Sequence, residues 1–460
     1  MKPHRAPRAI LGITAVSALV LTGCSTGAGN SPEEESGPVT IQVGDYPTAD
    51  QEAARAVFDA RVEKFEDMHK DINIEPIEQV WEAQTFQAGV AGGTLPTVLK
   101  VPFTEIQSLI ARGQVADITE ELEEAGISEQ LNPQSATIAQ DEDGKQFGVP
   151  VNPYAIGLYY NRDLFEQAGL DPNSPPETWD EVAEYAKVIA DKTGKTGYAQ
   201  MSTENTGGWM LTAQIYSMGG SIENDEGTEI TFDDAPATQA LEYLHRMRWE
   251  DDSMGSNFLY NMGDIGKEFG AGNIGMFLTA PSGSYGAVIN TYGMDRAVVG
   301  IGPVPTGPGF DGQVLAGGSV EIVSPKATDA QKAAAVKWIE FVDLSLYGDE
   351  EAAKTAAEAT AADGGSVGIP RVSPVAPELY ENYLDWVAEF INVPQENVQA
   401  YNDNLAEVEL KGEPITAAQD VYGILDSVIQ KVLTDENTDI EKALADAAAA
   451  AQDKVERAAR

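Results

Sequence analysis

One short motif in this chain has the residue pattern of a hydrolytic nucleophile. Residues 364–368 read Gly-Gly-Ser-Val-Gly, the pattern of a strand-to-helix turn that exposes a serine for attack on an acyl carbon. That reaction needs a histidine base, which follows the serine in α/β-hydrolases, yet no histidine follows His245. The stretch before the motif is rich in alanine, and Pro370 blocks a helix after it. We therefore predict a plain loop here and no enzymatic activity.

Metal and phosphate chemistry is limited by the supply of suitable residues. The chain has one Cys and three His, too few for a cysteine zinc site or a histidine-rich site. The acidic segments 141–144 and 223–227 lack EF-hand spacing and end in glycine, which is typical of surface turns. No segment has the full spacing of a phosphate loop that ends in Gly-Lys-Ser or Gly-Lys-Thr. We expect no cofactor and no metal, with calcium at an acidic turn left open.

The charge balance excludes one class of partner. The 460 residues include 29 Lys and Arg against 74 Asp and Glu, a net charge of −45. Such a field repels phosphate, so nucleic acid and an anionic membrane surface are not expected partners. With 42% hydrophobic residues, the chain can bury a large core and is long enough for two or three domains.

The first 38 residues predict export and anchoring. Three basic residues within 2–8 precede the apolar run 9–21, whose 13 residues suit a signal peptide and are too few for a membrane-spanning helix. The run ends in Leu-Thr-Gly-Cys, which resembles a bacterial lipobox, so residues 1–23 are expected to be removed and Cys24 lipidated. The alternative is an ordinary signal peptide with a free thiol nearby. Residues 24–38 are rich in Ser, Gly, Pro and Glu and predict a flexible tether to the outer face of the cell membrane.

The remaining chain alternates strand and helix signals. Alternating apolar residues predict strands at 39–43 and 72–77, and a third is expected at 96–101. Capping boxes, in which a Thr or Ser is followed three residues later by Glu or Gln, predict helix starts at Thr48, Thr178 and Thr328. Helices are also expected at 105–113 and 438–460. This order predicts an α/β fold with largely parallel sheets covered on both faces.

Four sequence blocks carry a family resemblance. The longest, 148–165, reads GVPVNPYAIGLYYNRDLF and is followed by Pro-Glu-Thr-Trp at 176–179. Residues 92–98, 269–276 and 302–319 contain the other three, in the family's order, with Thr97 where an Asp is usual. Together the blocks resemble the extracellular solute-binding proteins of ABC importers, in the branch that includes maltose-binding proteins.

This resemblance implies a two-lobe, periplasmic-binding-protein-like α/β fold with a solute in the cleft between the lobes. The first lobe is expected to comprise about 39–149 and 303–344, and the second about 154–300 and 346–460. Three inter-lobe crossovers would lie near Val151, Ile301 and Leu344. General rules for α/β proteins also favour a ligand at the carboxyl ends of strands and in such crevices.

The family positions imply a set of ligand contacts. Each has a structural alternative: helix capping for Asp45, a surface ion pair for Arg371, and core packing for the aromatic residues. Backbone amides of the glycines at 317 and 318 are also expected to face the solute. The candidate ligand-binding residues are Asp45, Tyr46, Trp81, Phe103, Thr104, Glu105, Tyr154, Trp209, Tyr285, Gly318, Ser319 and Arg371.

These residue types suit a sugar. Aromatic rings cover the C–H face of a sugar ring, while carboxylates, amides and Arg bond its hydroxyls. The resemblance therefore implies a monomeric, lipid-anchored receptor that passes a carbohydrate, expected to be an oligosaccharide, to an ABC permease. The alternatives are the same fold with a polyamine or another small polar solute, which carboxylates beside aromatic rings would also suit, and an extracellular glycosidase.

Overall fold

The computed structural model describes residues 37–310 and 312–458, apart from the side chain of residue 53. The strands are β1 (Val39–Val43), β2 (Ile72–Pro76), β3 (Val98–Pro102), β4 (Gly148–Ala155), β5 (Gly157–Asn161), β6 (Thr196–Tyr198), β7 (Ile274–Thr279), β8 (Val299–Gly302), β9 (Gln313–Val323) and β10 (Glu409–Gly412). The helices are α1 (Glu52–Met68), α2 (Ala83–Gly92), α3 (Phe103–Ala111), α4 (Thr119–Glu124), α5 (Pro133–Ala136), α6 (Arg162–Ala168), α7 (Trp179–Thr193), α8 (Thr206–Ser217), α9 (Ala235–His245), α10 (Met262–Gly270), α11 (Pro281–Gly286), α12 (Asp329–Ile339), α13 (Glu350–Ala362), α14 (Pro377–Val387), α15 (Gln399–Leu405), α16 (Ala418–Thr434) and α17 (Ile440–Ala458).

The first lobe is built on β9-β3-β1-β2 of a six-stranded sheet, with β4 also paired to β9. The edge strand β10 pairs with the end of β9 that packs in the second-lobe core. Because side chains alternate along a strand, β3 places Val98 in one apolar cluster, and Leu99 and Val101 in another. The first cluster also contains Ile41 and Trp338. The sheet is therefore covered on both faces, as the sequence predicts.

Two neighbouring strands connect the lobes. β4 pairs antiparallel with β9 from Gly148 to Ala155. Within β9, Val320 packs in the first lobe, whereas Leu315 packs in the large core of the second. β4 and β9 thus form a two-stranded ribbon that crosses the boundary, and we refer to them below as the crossing ribbon.

The second lobe surrounds a four-stranded sheet in the order β6-β7-β5-β8. Its core includes Trp179, which is almost completely buried and donates its indole N–H to the Ser217 hydroxyl at 3.0 Å. Helices α8 and α16 pack closely against each other in this lobe. The α8–α16 pair forms one wall of the cavity described below.

Several local predictions are confirmed. β1 has the predicted bounds, and full capping boxes begin α7 at Thr178 and α12 at Thr328. The box predicted at Thr48 is wrong, because α1 begins only at Glu52 and its N-cap, Gln51, makes no side-chain capping bond. Instead, the Gln51 side chain accepts the Thr48 N–H at 3.3 Å, which forms a turn ahead of the helix.

The strand directions differ from the predicted, largely parallel sheets. β1 is parallel to β2 and β3, and β6 to β7, but β3 and β4 are antiparallel to β9, and β5 is antiparallel to both β7 and β8. The sheets are therefore mixed. The physical reason is that the chain passes between the lobes along strands, and each passage adds a strand that returns in the opposite direction.

The third lobe boundary also differs from the prediction. The sequence predicts 346–460 in the second lobe, yet Tyr347, Val375 and Leu379 pack in the same apolar cluster as Ile41. The chain touches the second-lobe core at Ile369 and Val372 and returns to it at about Val393. The sequence is misleading here because α13 and α14 carry no family motif and fold back onto the first lobe.

The N-terminal predictions are not tested. The signal peptide, Cys24 and nearly all of the tether 24–38 lie outside the described residues. Among the helices that the structure describes, none is long and apolar enough to cross a membrane.

Candidate functional site

A cavity of about 410 Å³ lies where the two lobes meet. Its walls come from α3 and the loop after β2 in the first lobe and from the α8–α16 pair in the second. Six of the predicted ligand contacts line it: Trp81, Thr104, Glu105, Tyr154, Trp209 and Gly318. The other lining residues are Pro102, Glu204, Asn205, Thr206, Glu413, Gln419 and Tyr422. We call this the cleft cavity.

The first-lobe wall is formed at the ends of strands. α3 begins directly after β3, so Thr104 and Glu105 lie in its first turn at the carboxyl end of the strand. Burial raises the pKa of the half-buried Glu105 carboxyl, against the opposing effect of Arg112. Trp81 precedes α2, and its ring centroid lies 4.9 Å from that of Phe86. This wall offers an indole, a hydroxyl and a carboxylate.

The second-lobe wall depends on two adjacent glycines. Trp209 lies in the first turn of α8, directly after Gly207 and Gly208. A Cβ on Gly208 would lie 2.2 Å from the carbonyl oxygen of Tyr422, so only glycine fits there. This close packing of α8 on α16 places Tyr422 and Trp209 in the same cavity wall.

The N-terminus of α8 is occupied by a carboxylate of the protein itself. Asp426, on α16, accepts the N–H of Asn205 at 2.7 Å and that of Gly208 at 2.8 Å. Glu204 and Asn205 have φ values of 58° and 65°, a left-handed conformation that costs about 1–3 kcal/mol per residue outside glycine. The donors of a helix end, which could otherwise bind an anion, are therefore already satisfied.

The floor of the cavity is the crossing ribbon. Pairing of β4 with β9 is irregular between Val151 and Tyr154, and the exposed Asn152 has a φ of 50°. Such a bulge re-aims the following side chain. The Tyr154 ring meets that of Trp209 edge-to-face, with centroids 5.9 Å apart and an interplanar angle of 87°.

Glu413 follows β10 and reaches the same floor. It accepts the Tyr422 hydroxyl at 3.3 Å. Burial raises the pKa of Glu413 to about 7, although hydrogen bonds from Tyr422 and Tyr154 oppose the shift. A Cβ on Gly317 would lie 2.3 Å from the Tyr154 hydroxyl oxygen and 3.0 Å from Glu413, so the glycine makes room for both side chains.

The cavity is acidic and aromatic. Its charged lining residues are Glu105, Glu204 and Glu413, and no lysine, arginine or histidine of the described chain lines it. The indole Nε1 of Trp209 is buried beside the Tyr154 hydroxyl, and its interaction with that hydroxyl opposes the rise in the Tyr154 pKa that burial causes.

Three predicted contacts lie close to the cavity without lining it. Phe103 is buried beneath Gly318, where a Cβ would lie 2.7 Å from its ring. Ser319 pairs with Pro102 and Val151 inside the first sheet. Asp45 accepts the Lys100 N–H at 3.3 Å and belongs to an ion cluster behind the sheet.

Three further predicted contacts lie elsewhere. Tyr46 packs on Phe58 at the surface and donates its hydroxyl to Asp59 at 3.0 Å. Tyr285 is completely buried in the second-lobe core, so neither face of its ring can stack on a sugar. Arg371 lies beside Tyr347, Tyr380 and Tyr383 of the first lobe. In this structure none of the three contributes to the cleft cavity.

The structure adds residues that sequence reasoning missed. Glu204 and Asn205 stand one residue, Thr206, before the Gly-Gly-Trp segment, and this closeness in sequence could have indicated them. Glu413, Gln419 and Tyr422 had no such signal, because they are more than 200 positions from Trp209 and lie outside every family block. Long-range packing of α16 on α8 and pairing of β10 with β9 bring them to the cavity.

No catalytic or metal centre emerges from the part of the chain that the structure describes. No group of His, Cys, Asp and Glu there could hold a metal ion. Residues 364–368 form a loop after α13, as predicted, and the Arg296 guanidinium donates to the carbonyl of Gly364 at 2.6 Å. A larger hollow of about 670 Å³ lies on the second lobe alone, beside α9 and the start of α17, and contains none of the predicted contacts.

Sequence comparison identifies a family. Residues 47–342 match the family model of bacterial extracellular solute-binding proteins. The chain is 29% identical over 309 residues to the sn-glycerol-3-phosphate-binding periplasmic protein UgpB of Agrobacterium fabrum, a match that covers 63% of this chain and 67% of that protein. It is 31% identical over 163 residues to the protein of the same name from Salmonella paratyphi A, covering 33% of this chain and only 37% of that protein's length.

Solved structures share the fold over nearly the whole chain. The cyclic alpha-maltosyl-1,6-maltose binding protein of Arthrobacter globiformis has a TM-score of 0.68 at 23% identity, covering 92% of this chain and 100% of that one. UgpB of Mycobacterium tuberculosis, solved in complex with glycerophosphocholine, has a TM-score of 0.69 at 16% identity, covering 92% and 99%. At these identities the likeness establishes the two-lobe α/β fold.

Proposed function

Since this chain belongs to the bacterial extracellular solute-binding proteins, a transport family, we propose that it binds a carbohydrate, an oligosaccharide in particular, in the cleft cavity and delivers it to an ABC permease. One observation carries the proposal: Trp81 of the first lobe and Trp209 of the second line one cavity together with carboxylate and amide side chains. A sugar presents an apolar C–H face to such rings and a rim of hydroxyls to such polar groups.

The cavity has the size of an ordinary small-molecule site. A volume of about 410 Å³ falls in the usual range for small-molecule sites. Both lobes contribute walls, so a bound solute would bridge them and favour the closed arrangement over an open one. Bending of the crossing ribbon would provide that motion.

Organic phosphates are disfavoured by the electrostatics of this site. The two relatives found by sequence comparison are named as sn-glycerol-3-phosphate-binding proteins. A phosphate is best held by Arg, Lys or helix N-terminal amides. Here no basic side chain of the described residues lines the cavity, and Asp426 occupies the α8 N-terminus. A phosphate in this cavity would meet three carboxylates instead.

The proposal is tested by thermal shift and calorimetry with purified protein. The panel comprises mono-, di- and trisaccharides, with sn-glycerol 3-phosphate, glycerophosphocholine and spermidine for comparison. We expect at least one oligosaccharide to raise the Tm and to be recovered unchanged by mass spectrometry. Binding of the phosphates without binding of any carbohydrate would overturn the proposal, and cleavage of the sugar would indicate a glycosidase.

We also propose that the receptor acts as a monomer held on the outer face of the cell membrane by a lipid on Cys24. The sequence at 21–24 supports this anchor. The Cys24→Ala variant is expected to move from the membrane fraction to the soluble fraction, with Cys24→Ser as a second thiol-free variant. A membrane-bound Cys24→Ala protein would contradict the anchor without affecting the ligand proposal.

A further inference from the structure

The carboxylates of the cleft cavity lack a cation within the protein. Glu413 accepts a hydrogen bond from the Tyr422 hydroxyl, and Glu204 accepts one from the side-chain amide of Asn261 at 3.1 Å. Glu105 has only the longer-range attraction of Arg112. Among the described residues none of these three carboxylates forms a salt bridge. Glu204 is exposed, whereas Glu105 and Glu413 are partly buried, and a carboxylate held out of water without a counter-charge is costly.

Basic side chains on the surrounding elements bind other groups. Arg112 donates to the carbonyl of Ala458 at 3.4 Å, and Lys454 forms a 2.7 Å salt bridge with Asp420. Lys411, on β10 just before Glu413, donates to the Ser221 hydroxyl at 3.2 Å. These three basic groups therefore bind partners other than the cavity carboxylates, and no basic side chain among the described lining residues compensates the negative charge of the cavity.

Four aromatic rings line the same space. Trp81, Tyr154, Trp209 and Tyr422 all contribute to the cavity, and Tyr154 and Trp209 form an edge-to-face pair. The face of an aromatic ring attracts a cation, and the attraction grows when the site is partly desolvated. Rings and carboxylates together indicate a cationic ligand more specifically than acidic residues alone, because both favour positive charge in the same cavity.

We propose that the solute is a polyhydroxylated molecule that carries a positively charged amino group, which binds between the carboxylates and the aromatic rings of the cleft cavity. This inference rests on the proposed function, since it refines the class of carbohydrate bound in the same cavity. Glu413 and Glu105 act as the counter-charges of the amine, and the rings pack on the sugar faces around it. The net charge of −45 also attracts such a ligand from a distance.

The experiment compares oligosaccharides that differ only at nitrogen. Isothermal titration calorimetry across pH 6–8, which spans the Glu413 pKa of about 7, measures Kd for glucosamine oligomers of two and three rings, for their N-acetylated counterparts, and for neutral glucose oligomers of the same linkage. We expect the free amine to bind at least about tenfold more tightly than the acetylated and neutral ligands. Increasing the salt concentration should reduce that preference, because charge attraction is screened.

Two variants test whether Glu413 and Glu105 cause the preference for the aminated ligand. Glu413→Gln and Glu105→Gln keep the shape and the hydrogen-bonding capacity of the side chain and remove the charge, so we expect each to lose about tenfold for the aminated ligand and less than threefold for the neutral one. The matched control is Glu358→Gln, an exposed glutamate on α13, which should leave every Kd unchanged. Retained preference for the amine in both cavity variants would overturn the assignment.

The outcomes separate this inference from the proposed function. If neutral oligosaccharides bind as tightly as aminated ones, the amine inference fails and the carbohydrate proposal stands. If spermidine binds and no carbohydrate of any kind binds, a cation site remains and the carbohydrate proposal fails. If no member of either panel binds, both fail.

Discussion

Two regions of this protein hold carboxylates away from water, and they differ in a single respect. Behind the first sheet, the Lys100 ammonium lies 3.1 Å from the buried Glu321 carboxylate, with Asp45 and Asp343 nearby. Burial lowers the pKa of Lys100, but attraction to these acids outweighs it and leaves that pKa raised. In the cleft cavity, the partly buried Glu105 and Glu413 have no such lysine.

This difference suggests that the paired charges around Lys100 stabilise the fold, whereas the unpaired carboxylates of the cleft cavity serve to bind a ligand. The Lys100 cluster is complete within the fold, because β3 places Lys100 directly opposite Glu321 on β9. In the cleft cavity, no basic side chain among the described lining residues pairs with the carboxylates. Changes to the first region should therefore affect stability, and changes to the second should affect binding.

The largest effect is expected from Lys100→Met. Removal of the ammonium leaves Glu321 buried without a counter-charge, so the free energy of unfolding should fall by about 3–5 kcal/mol, measured by urea denaturation. Lys100→Met combined with Glu321→Gln should recover a large part of that loss. If Lys100→Met were as stable as the parent protein, the Lys100 cluster would not be the stabilising region that this comparison makes it.

The next effect concerns the cavity. Trp209→Ala should weaken solute binding by about 1–3 kcal/mol in calorimetry, because an aromatic face is lost, while the fold remains intact. Trp386→Ala is the matched control, since Trp386 packs in a small apolar cluster of the first lobe. That variant should lose stability and keep its affinity. Unchanged affinity in Trp209→Ala would remove Trp209 from the site.

The third effect is on the pH dependence of stability. The pKa of Glu413 in the folded protein is about 7, above its usual value of 4.5, so the folded protein retains a proton that the unfolded chain releases. The stabilisation is complete below pH 4.5 and is lost as the pH rises through 7, by on the order of 1–3 kcal/mol. The free energy of unfolding of Glu413→Gln, measured by urea denaturation, should lack this part of the decline with pH. A pH dependence parallel to that of the parent protein would contradict the prediction.

The smallest effect is expected outside both regions. Arg371→Gln should change the affinity by less than about 0.5 kcal/mol, because Arg371 lies beside Tyr347 and Tyr380 rather than in the cavity. Calorimetry with the tightest ligand provides the measurement. A loss comparable with that of Trp209→Ala would restore Arg371 to the site, as the family position implies.

The sequence predicts those site residues whose positions depend on their neighbours in the chain. Thr104 and Glu105 could be placed because they follow a strand, and the carboxyl ends of strands form sites in α/β folds. The capping boxes at Thr178 and Thr328 are equally local, and the structure confirms both. The fold class follows from the alternation of such signals together with the family blocks.

What the sequence cannot predict depends on packing between distant segments. Tyr422 reaches the cavity only because Gly207 and Gly208 let α16 approach α8. Tyr285 was a reasonable stacking candidate by residue type, but whether a tyrosine faces a cleft or a core depends on neighbours far along the chain. Mixed strand directions escaped prediction for the same reason, since hydrophobic patterns do not encode orientation.

The bulge at Asn152 has a mechanical consequence. The crossing ribbon is a stiff hydrogen-bonded strip, and its ladder is broken at one point, between Val151 and Tyr154. A strip bends most easily where its ladder is broken, so we expect any bending of the crossing ribbon to occur there, two residues from Tyr154. Bending at that point would turn the Tyr154 ring, so we expect a solute packed on this ring to change how easily the lobes rotate.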